Sequence, residues 1–393
     1  MNFTMTKEEW NAAIDQYIAE ENAKVGKPRI AAMDIPNSWP QVHSFISEEA
    51  IRDFAWNLGC TNPLYTDPEY AKNTCWHGVI APQGRFVNYI AETGNFDRGN
   101  YVPGQTHLYG ATTYEYYDVM RAGEHYTFTD EYLGVEEKKL APEKAEKYRL
   151  LIMKAKRHFI NEQGKTVVTT TGEIAITCVY PGNAKSKSNP ALGQHTVTHY
   201  DDAYLEELHK YYEDYYKGKY FTGAKERFWD DVAEGDELPV LRKGPIDVID
   251  VVGFQTGISA MIGGGATKWE SLRNGLSVKN PETGEYVPRV SFHYDKDAAV
   301  AMGHPYALVY ASMQEAYISE ALSDWMGDSG FIKKLTHRTR KPSFHGDVIS
   351  TKGTVVRKFE ENGESLVEVN ITTVNQHGVE ICPSKAIIRL PRK

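Results

Sequence analysis

Two segments near the N-terminus have the hydrophobic periodicity of helices. Between residues 6 and 23, apolar side chains recur three to four positions apart, and Thr6 and Glu9 have the spacing of a capping box. A second amphipathic segment follows Ser47, which suits an N-cap, and Gly59 is placed to end that helix. We expect the first helix to pack on the following domain as an N-terminal strap.

The next stretch contains residues that interrupt regular structure. Pro63 restricts the residue before it to extended conformations, so residues 59–67 are predicted to form a shaped loop. Asp67 stands directly before Pro68, which is typical of an N-cap followed by the first residue of a helix. A further helix is predicted over residues 83–92.

From about residue 105 the pattern changes to that of strands. Residues 165–180 are rich in β-branched side chains, and residues 161–164 (NEQG) are predicted to form the hairpin turn before them. The polar stretch 181–200, rich in Pro, Gly and Ser, is the predicted domain boundary. A helix with tyrosines at helical spacing follows, and we interpret it as a connecting helix packed between domains.

The second half of the chain repeats motifs of the first half in the same order. Each half has a helix and a loop first, then a longer helix, and then strands. The repeat rests on three matches: residues 65–71 with 293–299, residues 121–124 with 344–347, and residues 161–164 with 375–378. They indicate an internal duplication with small insertions and deletions.

The length of the chain agrees with this duplication. A chain of 393 residues with 41% hydrophobic and 25% charged residues is typical of a globular protein with two or three units. The repeat reduces this to two related domains. We predict an N-terminal domain over residues 1–180, a linker with the tyrosine-rich helix over residues 181–225, and a C-terminal domain over residues 226–393.

Charge and cysteine usage exclude several classes of function. The formal net charge of −9 argues against nucleic acid or an anionic membrane as the main partner, because both attract basic surfaces. No run approaches the roughly 18 apolar residues of a membrane span. The four cysteines include no CxxC pair, which fits a reducing compartment better than a disulfide framework or a zinc site. We therefore expect no metal, no membrane partner and a cytoplasmic location.

Residues 62–71 (NPLYTDPEYA) and 78–82 (GVIAP) resemble the signature loop of MaoC-like dehydratases, the (R)-specific enoyl-CoA hydratases of the hotdog fold. In the second half, residues 228–239, 293–295 and 324–328 resemble fused, double-hotdog members of that superfamily. The resemblance implies an α+β fold with two antiparallel sheets, each wrapped around a central helix, in one chain. The second central helix would span residues 312–326, and an acyl thioester would bind between the two units.

The resemblance also implies where the chemistry takes place. In the family, an Asp and a His five residues apart on the loop hold the water that adds to the enoyl β-carbon. The first half has Cys60 and Tyr65 at these positions, and the second half has Pro288 and His293. The standard pair is therefore absent from both copies. His293 is either a general base or a structural histidine, and Tyr65 is a candidate to donate a hydrogen bond to a substrate in the opposite copy.

Further positions are candidates for binding the substrate. Tyr310 and Ala311 stand where related proteins have His-Gly at the start of the central helix, so the Ala311 N–H is a candidate oxyanion donor. Arg338 and Arg340 alternate on a predicted strand and would share one face, where they would either contact the phosphates of coenzyme A or face solvent. Asn62 in the signature loop is another candidate.

Other polar residues near the two loops have simpler interpretations. Asp67 and Asp295 each lie two residues past the His position, where we favour a structural N-cap over a catalytic role. Glu285 is the nearest upstream carboxylate that would replace the lost Asp. A nucleophilic Cys60 is disfavoured, because no base is visible beside it.

We predict from this resemblance a hydratase or dehydratase that interconverts an enoyl-CoA and a 3-hydroxyacyl-CoA thioester at a non-standard active site. Two alternatives remain open: an acyl-CoA thioesterase, and a catalytically silent acyl-CoA-binding subunit of a hetero-oligomeric hydratase. Coenzyme A would enter only as part of the substrate, and no other cofactor is expected. We expect the chain to form a homo-oligomer, such as a dimer.

Overall fold

The computed structural model describes residues 5–27, 43–91, 104–180, 195–258, 277–280 and 282–393. The helices in this part of the chain are α1 (Lys7–Asn22), α2 (Glu48–Asn57), α3 (Pro63–Thr66), α4 (Pro68–Lys72), α5 (Pro142–Ala145), α6 (Asp202–Tyr216), α7 (Val248–Gly257), α8 (Lys296–Ala301) and α9 (Ala311–Met326). Short 3-10 helices lie at Arg85–Tyr89, Trp229–Asp231 and Arg289–His293.

The strands are β1 (Gln105–Tyr116), β2 (Tyr126–Glu137), β3 (Tyr148–Asn161), β4 (Thr166–Val179), β5 (Leu241–Lys243), β6 (Ser277–Lys279), β7 (Tyr286–Pro288), β8 (Phe331–Arg338), β9 (Ile349–Glu361), β10 (Glu364–Val374) and β11 (Glu380–Arg389). β6 and β7 pair with each other as a small hairpin. The predicted turn at residues 161–164 connects β3 and β4, as expected.

The other nine strands form one antiparallel sheet in the order β2-β3-β4-β1-β8-β11-β10-β9-β5. Counted outward from the β1–β8 junction, the two halves present their strands in the same order, which agrees with the internal duplication. The prediction of two separate sheets is therefore corrected. β1 pairs with β8 from Ala111 opposite Arg338 to Glu115 opposite Lys334, so the two edges that would otherwise be exposed satisfy each other.

Helix α9 is the centre of the second half. Every residue from Ser312 to Met326 is buried, and the helix packs against β5, β9 and the 3-10 helix of the first half. Such all-round burial is expected only where a helix is surrounded by protein. It places several polar side chains of α9 in the interior, where they need partners.

The helix predicted over residues 83–92 is not formed as expected. The described part of this segment contains only the 3-10 helix Arg85–Tyr89. The chain enters this helix through Gly84 at φ 106°, which is outside the helical region. A Cβ at Gly84 would lie 2.0 Å from Ser319 Oγ of α9, so the close approach of α9 requires glycine and prevents a helix from starting earlier.

The N-terminal helix α1 covers part of the inner face of the first-half sheet. Thr6 and Glu9 form the predicted capping box, and Trp10 and Ile14 pack in one apolar cluster with Leu151 of β3. Leu151 and Phe159 lie on the same face of β3, because side chains alternate along a strand, and Phe159 belongs to the main core. Helix α1 and the main core therefore share this face.

Helix α2 of the first half packs on helix α7 of the second half, and the linker helix α6 packs on strand β5. Helix α2 has Ser47 as its N-cap and is followed by Gly59 at φ 70°, as the sequence predicts. It packs closely on α7, since a Cβ on Gly257 would lie 3.0 Å from the Phe54 Cα. In the tyrosine-rich helix α6, the Tyr211 hydroxyl accepts from the Arg242 N–H at 3.0 Å, so the stripe is a packing surface.

One further segment differs from its prediction. Residues 59–67 contain the one-turn helix α3, with Asn62 as N-cap and Pro63 as first residue, because proline is tolerated at that position. Most of the predicted boundary 181–200 lies outside the described residues. The division into residues 1–180, 181–225 and 226–393 stays a prediction.

Candidate active site

His293 lies against the N-terminus of the buried helix α9. It ends the 3-10 helix Arg289–His293, and its ring stacks on Tyr310 with centroids 3.6 Å apart and planes 22° apart. Tyr310 is the N-cap of α9. The structure therefore brings together three of the predicted residues: His293, Tyr310 and Ala311.

One nitrogen of His293 has a fixed role. Nδ1 lies 2.9 Å from the Leu308 carbonyl oxygen, so Nδ1 must carry the hydrogen that it donates to this acceptor. Burial lowers the pKa of His293 to about 3, and the imidazole is neutral at physiological pH. Nε2 is then the nitrogen with a lone pair, which is the state required of a general base.

The start of α9 offers a hydrogen-bond donor beside this base. Ala311 is the first residue of the helix, and Tyr310 provides no side-chain cap. The first N–H groups of any α-helix have no partner within the helix, and the helix dipole favours negative charge there. The Ala311 N–H is therefore suited to an oxygen that gains negative charge.

Neighbouring side chains hold the segment around His293 in place. His345 Nε2 donates to the His293 carbonyl oxygen at 2.9 Å, and the Tyr294 and Tyr310 hydroxyls are 3.1 Å apart. Asp295 caps α8 by accepting from the Ala298 N–H at 2.7 Å. His345 was not predicted from the sequence; the available signal is that it replaces Ala122 of the first copy in the match between residues 121–124 and 344–347.

No described carboxylate is bonded to His293. Glu285, the predicted replacement for the lost Asp, is exposed next to β7. Asp250 is closer to the surroundings of the loop, since it acts electrostatically on His345. Burial raises the pKa of Asp250 above its usual range. Among the described residues, His293 therefore has a backbone and an aromatic partner and no carboxylate.

Tyr65 and Cys60 lie in a different site. Both are buried and line a pocket with Ser319, Glu320 and Ser323 of α9. Burial raises the pKa of the Tyr65 hydroxyl well above its usual range, and its hydroxyl bonds to Ser323. Ser323 is 13 residues further along α9 than Tyr310, or about 20 Å at 1.5 Å per residue. The structure does not bring Tyr65 to His293.

Helix α9 carries two acidic side chains that were not predicted as site residues, Glu320, which lines this pocket, and Asp324, one turn further along the helix. Lys243 Nζ lies 2.7 Å from Glu320 Oε1, and the Tyr215 hydroxyl lies 2.5 Å from Glu320 Oε1 and 3.0 Å from Asp324 Oδ2. Burial, and secondly the charge of Glu320, raises the pKa of Asp324 well above its usual range. The sequence signal for this site was two acidic residues, Glu320 and Asp324, four positions apart in a helix that was predicted to be buried.

A second buried network joins the halves. Arg85 of the first half lies 3.3 Å from Glu315 of α9, with side chains 2% and 0% exposed. The Tyr109 and Tyr114 hydroxyls donate to the same carboxylate at 2.7 and 2.8 Å. Every oxygen of Glu315 therefore has a partner, and we assign this network to structure.

The remaining predicted residues have structural partners. Asn62 accepts from the Leu64 N–H at 2.9 Å, and Asp67 caps α4 by accepting from the Glu69 N–H at 3.0 Å. Strand β8 ends at Arg338, so the alternation that would place Arg340 on the same strand face does not continue. The two arginines are exposed and ion-paired, Arg338 with Glu173 and Arg340 with Glu380.

The described residues contain neither a membrane-spanning helix nor a cluster of metal ligands. None of their helices has the length and apolar character needed to span a bilayer. The same residues contain no group of three or more His, Cys, Asp or Glu side chains arranged to hold a metal ion.

Comparison with known proteins gives one partial family match and several similar structures. Residues 37–170 match the family model described as FAS1-like, dehydratase domain region. No curated protein matches the chain. Among solved structures, a MaoC-like dehydratase is 17% identical, with a TM-score of 0.60 over 89% of this chain and 96% of its own.

Two other solved structures are similar. A putative MaoC domain dehydratase from Chloroflexus aurantiacus J-10-fl is 11% identical, with a TM-score of 0.56 over 93% of this chain and 98% of its own. A Mycobacterium tuberculosis protein with a double hotdog fold is 10% identical, with a TM-score of 0.49 over 88% of this chain and 93% of its own. The family match over residues 37–170 and the shared fold confirm the resemblance of this chain to MaoC-like dehydratases.

Proposed function

We propose that the chain is a hydratase or dehydratase that interconverts an enoyl-CoA and a 3-hydroxyacyl-CoA thioester, with His293 as its general base and acid. The observation that carries the proposal is the neutral His293 fixed through Nδ1 to Leu308 and stacked at the start of α9. This arrangement places a proton acceptor and an uncapped helix N-terminus side by side.

The proposed hydration needs no group beyond these. His293 Nε2 takes a proton from water as the water oxygen bonds to the β-carbon of the enoyl thioester. The electron pair of the double bond moves through the α-carbon to the thioester oxygen, where the Ala311 N–H donates to it. The enolate then takes the proton back from His293 at the α-carbon, and dehydration is the reverse.

The rate contributions expected of a general base and of an oxyanion donor make His293 the most informative residue to replace. A placed general base or acid contributes about 10²–10⁴-fold in rate, and a single oxyanion donor contributes about 10²–10³-fold. The Ala311 donor is a backbone group that substitution does not remove. Replacement of His293 therefore tests the proposal most directly.

The test is turnover of a panel of enoyl-CoA and 3-hydroxyacyl-CoA thioesters, followed by absorbance and mass. We expect His293→Ala to lower kcat by at least about 100-fold. His158→Ala is the matched control, because His158 lies on β3 and bonds to Thr169 of β4, away from α9. No change in any thioester by the parent protein, or a His293→Ala variant within a few-fold of it, contradicts the proposal.

The same assay separates the two alternatives. Release of free thiol indicates a thioesterase, and tight binding without turnover indicates a silent acyl-CoA-binding subunit. We propose that Arg338 and Arg340 contact the phosphates of coenzyme A, in which case the phosphates displace Glu173 and Glu380. The homo-oligomer and the cytoplasmic location stay predictions.

A further inference from the structure

Large apolar side chains are exposed around the C-terminal end of helix α2. They are Trp56 of α2, Tyr216 of α6, and Ile249 and Val252 of α7, and we call these four residues the apolar patch. Their exposed fractions lie between 47% and 76%. A single exposed apolar side chain is ordinary on a protein surface, whereas a cluster of large ones marks an interaction site.

Two close contacts bring the patch residues of the three helices together. A Cβ on Gly59 would lie 3.4 Å from the Tyr216 hydroxyl, and a Cβ on Gly253 would lie 3.2 Å from the Asn57 Oδ1. Gly59 and Asn57 are within three positions of Trp56. Gly253 is in turn no more than four positions, or about one helical turn, from both patch residues of α7. Helices α6 and α7 therefore both reach the end of α2, and the patch is one surface.

The patch has opposite charges at its two ends. Gly253 of α7 faces the last residue of α2, whereas Gly257 faces Phe54, so the two helices are antiparallel. Arg52 borders the patch at one end, with its guanidinium 5.3 Å from the ring of the patch tryptophan. Asp247, the exposed N-cap of α7, lies at the other end. A two-fold axis through the patch would bring the Arg52 of one copy to the Asp247 of another.

The size of the patch also fits contact between two copies. An aromatic side chain covers about 150–250 Å², so the four partly exposed side chains together leave roughly 500 Å² of apolar surface in water. This is near the upper end of the roughly 300–600 Å² found for the largest patch of a monomer. Two copies face to face would bury roughly 1,000 Å², which is the lower limit for a specific interface. A two-fold contact uses the same surface on both copies.

We propose that the apolar patch is the interface of a homodimer, in which two copies of the chain meet across a two-fold axis and Arg52 of each copy pairs with Asp247 of the other. The second copy is the occupant that matches both the apolar surface and the charges at its two ends. An anionic membrane does not match them, because the chain has a formal net charge of −9. The inference is independent of the proposed function, since it concerns other residues than those around His293.

The test is analytical ultracentrifugation of the full chain at about 0.1–100 µM, a range that brackets the micromolar Kd expected of a small interface. We expect the mass to rise with concentration from 44.4 kDa to twice that value. Ile249→Asp should raise the Kd at least about 100-fold, because each dimer would bury two unpaired carboxylates. Arg52→Glu should raise it about 10-fold, because the new carboxylate would face Asp247.

Val356→Asp is the matched control for the added charge. Val356 of β9 is exposed, and it points away from the helices because its neighbour Val355 belongs to the main core. The same new carboxylate at this position should leave the Kd within about 3-fold of the parent value.

Two features keep the outcome interpretable. Ile249 is in the first turn of α7, where an acidic side chain favours the helix, so Ile249→Asp should fold, and its melting temperature checks this. If it does not fold, Trp56→Ser is the second variant and should raise the Kd at least about 10-fold. The inference is overturned by a parent protein that stays monomeric over the whole range, by a dimer that the folded patch variant leaves intact, or by equal dissociation in Val356→Asp.

Discussion

Tyr215 has one hydroxyl hydrogen and two carboxylates to bond. It lies 2.5 Å from Glu320 Oε1 and 3.0 Å from Asp324 Oδ2. If the hydrogen goes to Glu320, which also pairs with Lys243, then Asp324 must be protonated and donate to the Tyr215 oxygen. The raised pKa of Asp324, caused first by burial and then by the charge of Glu320, agrees with this distribution of protons.

This distribution predicts how Asp324→Asn changes the pH dependence of stability. A carboxyl whose pKa is raised on folding contributes stability fully below its unfolded pKa of about 3.9, and this contribution is lost as pH rises through the folded pKa. Asparagine keeps a donor to Tyr215 and does not titrate. We expect the melting temperature of Asp324→Asn, relative to the parent, to increase from pH 5 to about pH 8, the folded pKa of Asp324, and to level off above it. A difference that stays constant with pH would contradict a protonated Asp324.

At the scale of elements, the contact between α2 and α7 depends on two glycines that differ in what they face. A Cβ on Gly257 would lie 3.0 Å from the Phe54 Cα, which is backbone. A Cβ on Gly253 would lie 3.2 Å from the Asn57 Oδ1, which is the end of a side chain. Backbone cannot move away as a side chain can.

Gly257→Ala and Gly253→Ala therefore form a matched pair. In each variant, alanine gains up to about 1 kcal/mol of helix propensity. At Gly257 the close approach to backbone outweighs this gain, and we expect a net loss of about 1–2 kcal/mol. At Gly253 we expect no loss. Chemical denaturation measures both, and an equal stability of the two variants would show that α2 and α7 move apart freely.

At the scale of the whole molecule, the two halves share one sheet and one buried ionic network. Strands β1 and β8 connect the halves through backbone hydrogen bonds, and Glu315 of the second half binds Arg85, Tyr109 and Tyr114 of the first half. Neither half keeps its polar interior satisfied without the other. We expect the described parts of both halves to unfold together.

Removal of Glu315 tests this coupling. Glu315→Ala leaves Arg85 buried without its carboxylate, and breaking such a pair costs about 3–5 kcal/mol. Denaturation should stay a single transition, followed both by far-UV circular dichroism and by tryptophan fluorescence. Lys385→Ala, which breaks an exposed pair with Glu368, is the control and should cost less than about 1 kcal/mol. A loss for Glu315→Ala as small as that of the control would show that the halves are not coupled there.

The amino-acid sequence by itself determined the features that depend on neighbours in the chain. The capping box of Thr6 and Glu9, the N-caps Ser47, Asp67 and Asp295, and the turn at residues 161–164 are all present in the structure. Each depends on side chains that bond within a few residues, and on a hydrophobic period that is visible locally. The duplication was visible as well, because its three matches are short motifs of neighbouring residues.

Only the tertiary structure decided which groups meet across the chain. Strands β1 and β8 pair, so the structure has one large sheet where two were predicted. Ser319 packs against Gly84, and of the two predicted central helices the described residues contain one long buried helix, α9. The same packing carried Glu320 of the second half into the pocket of Tyr65, and left His293 with a backbone partner. The contacts between the halves join residues more than 200 positions apart, and even the Leu308 partner of His293 lies 15 positions away. No local pattern encodes them, because burial and charge pairing are set by the packed interior.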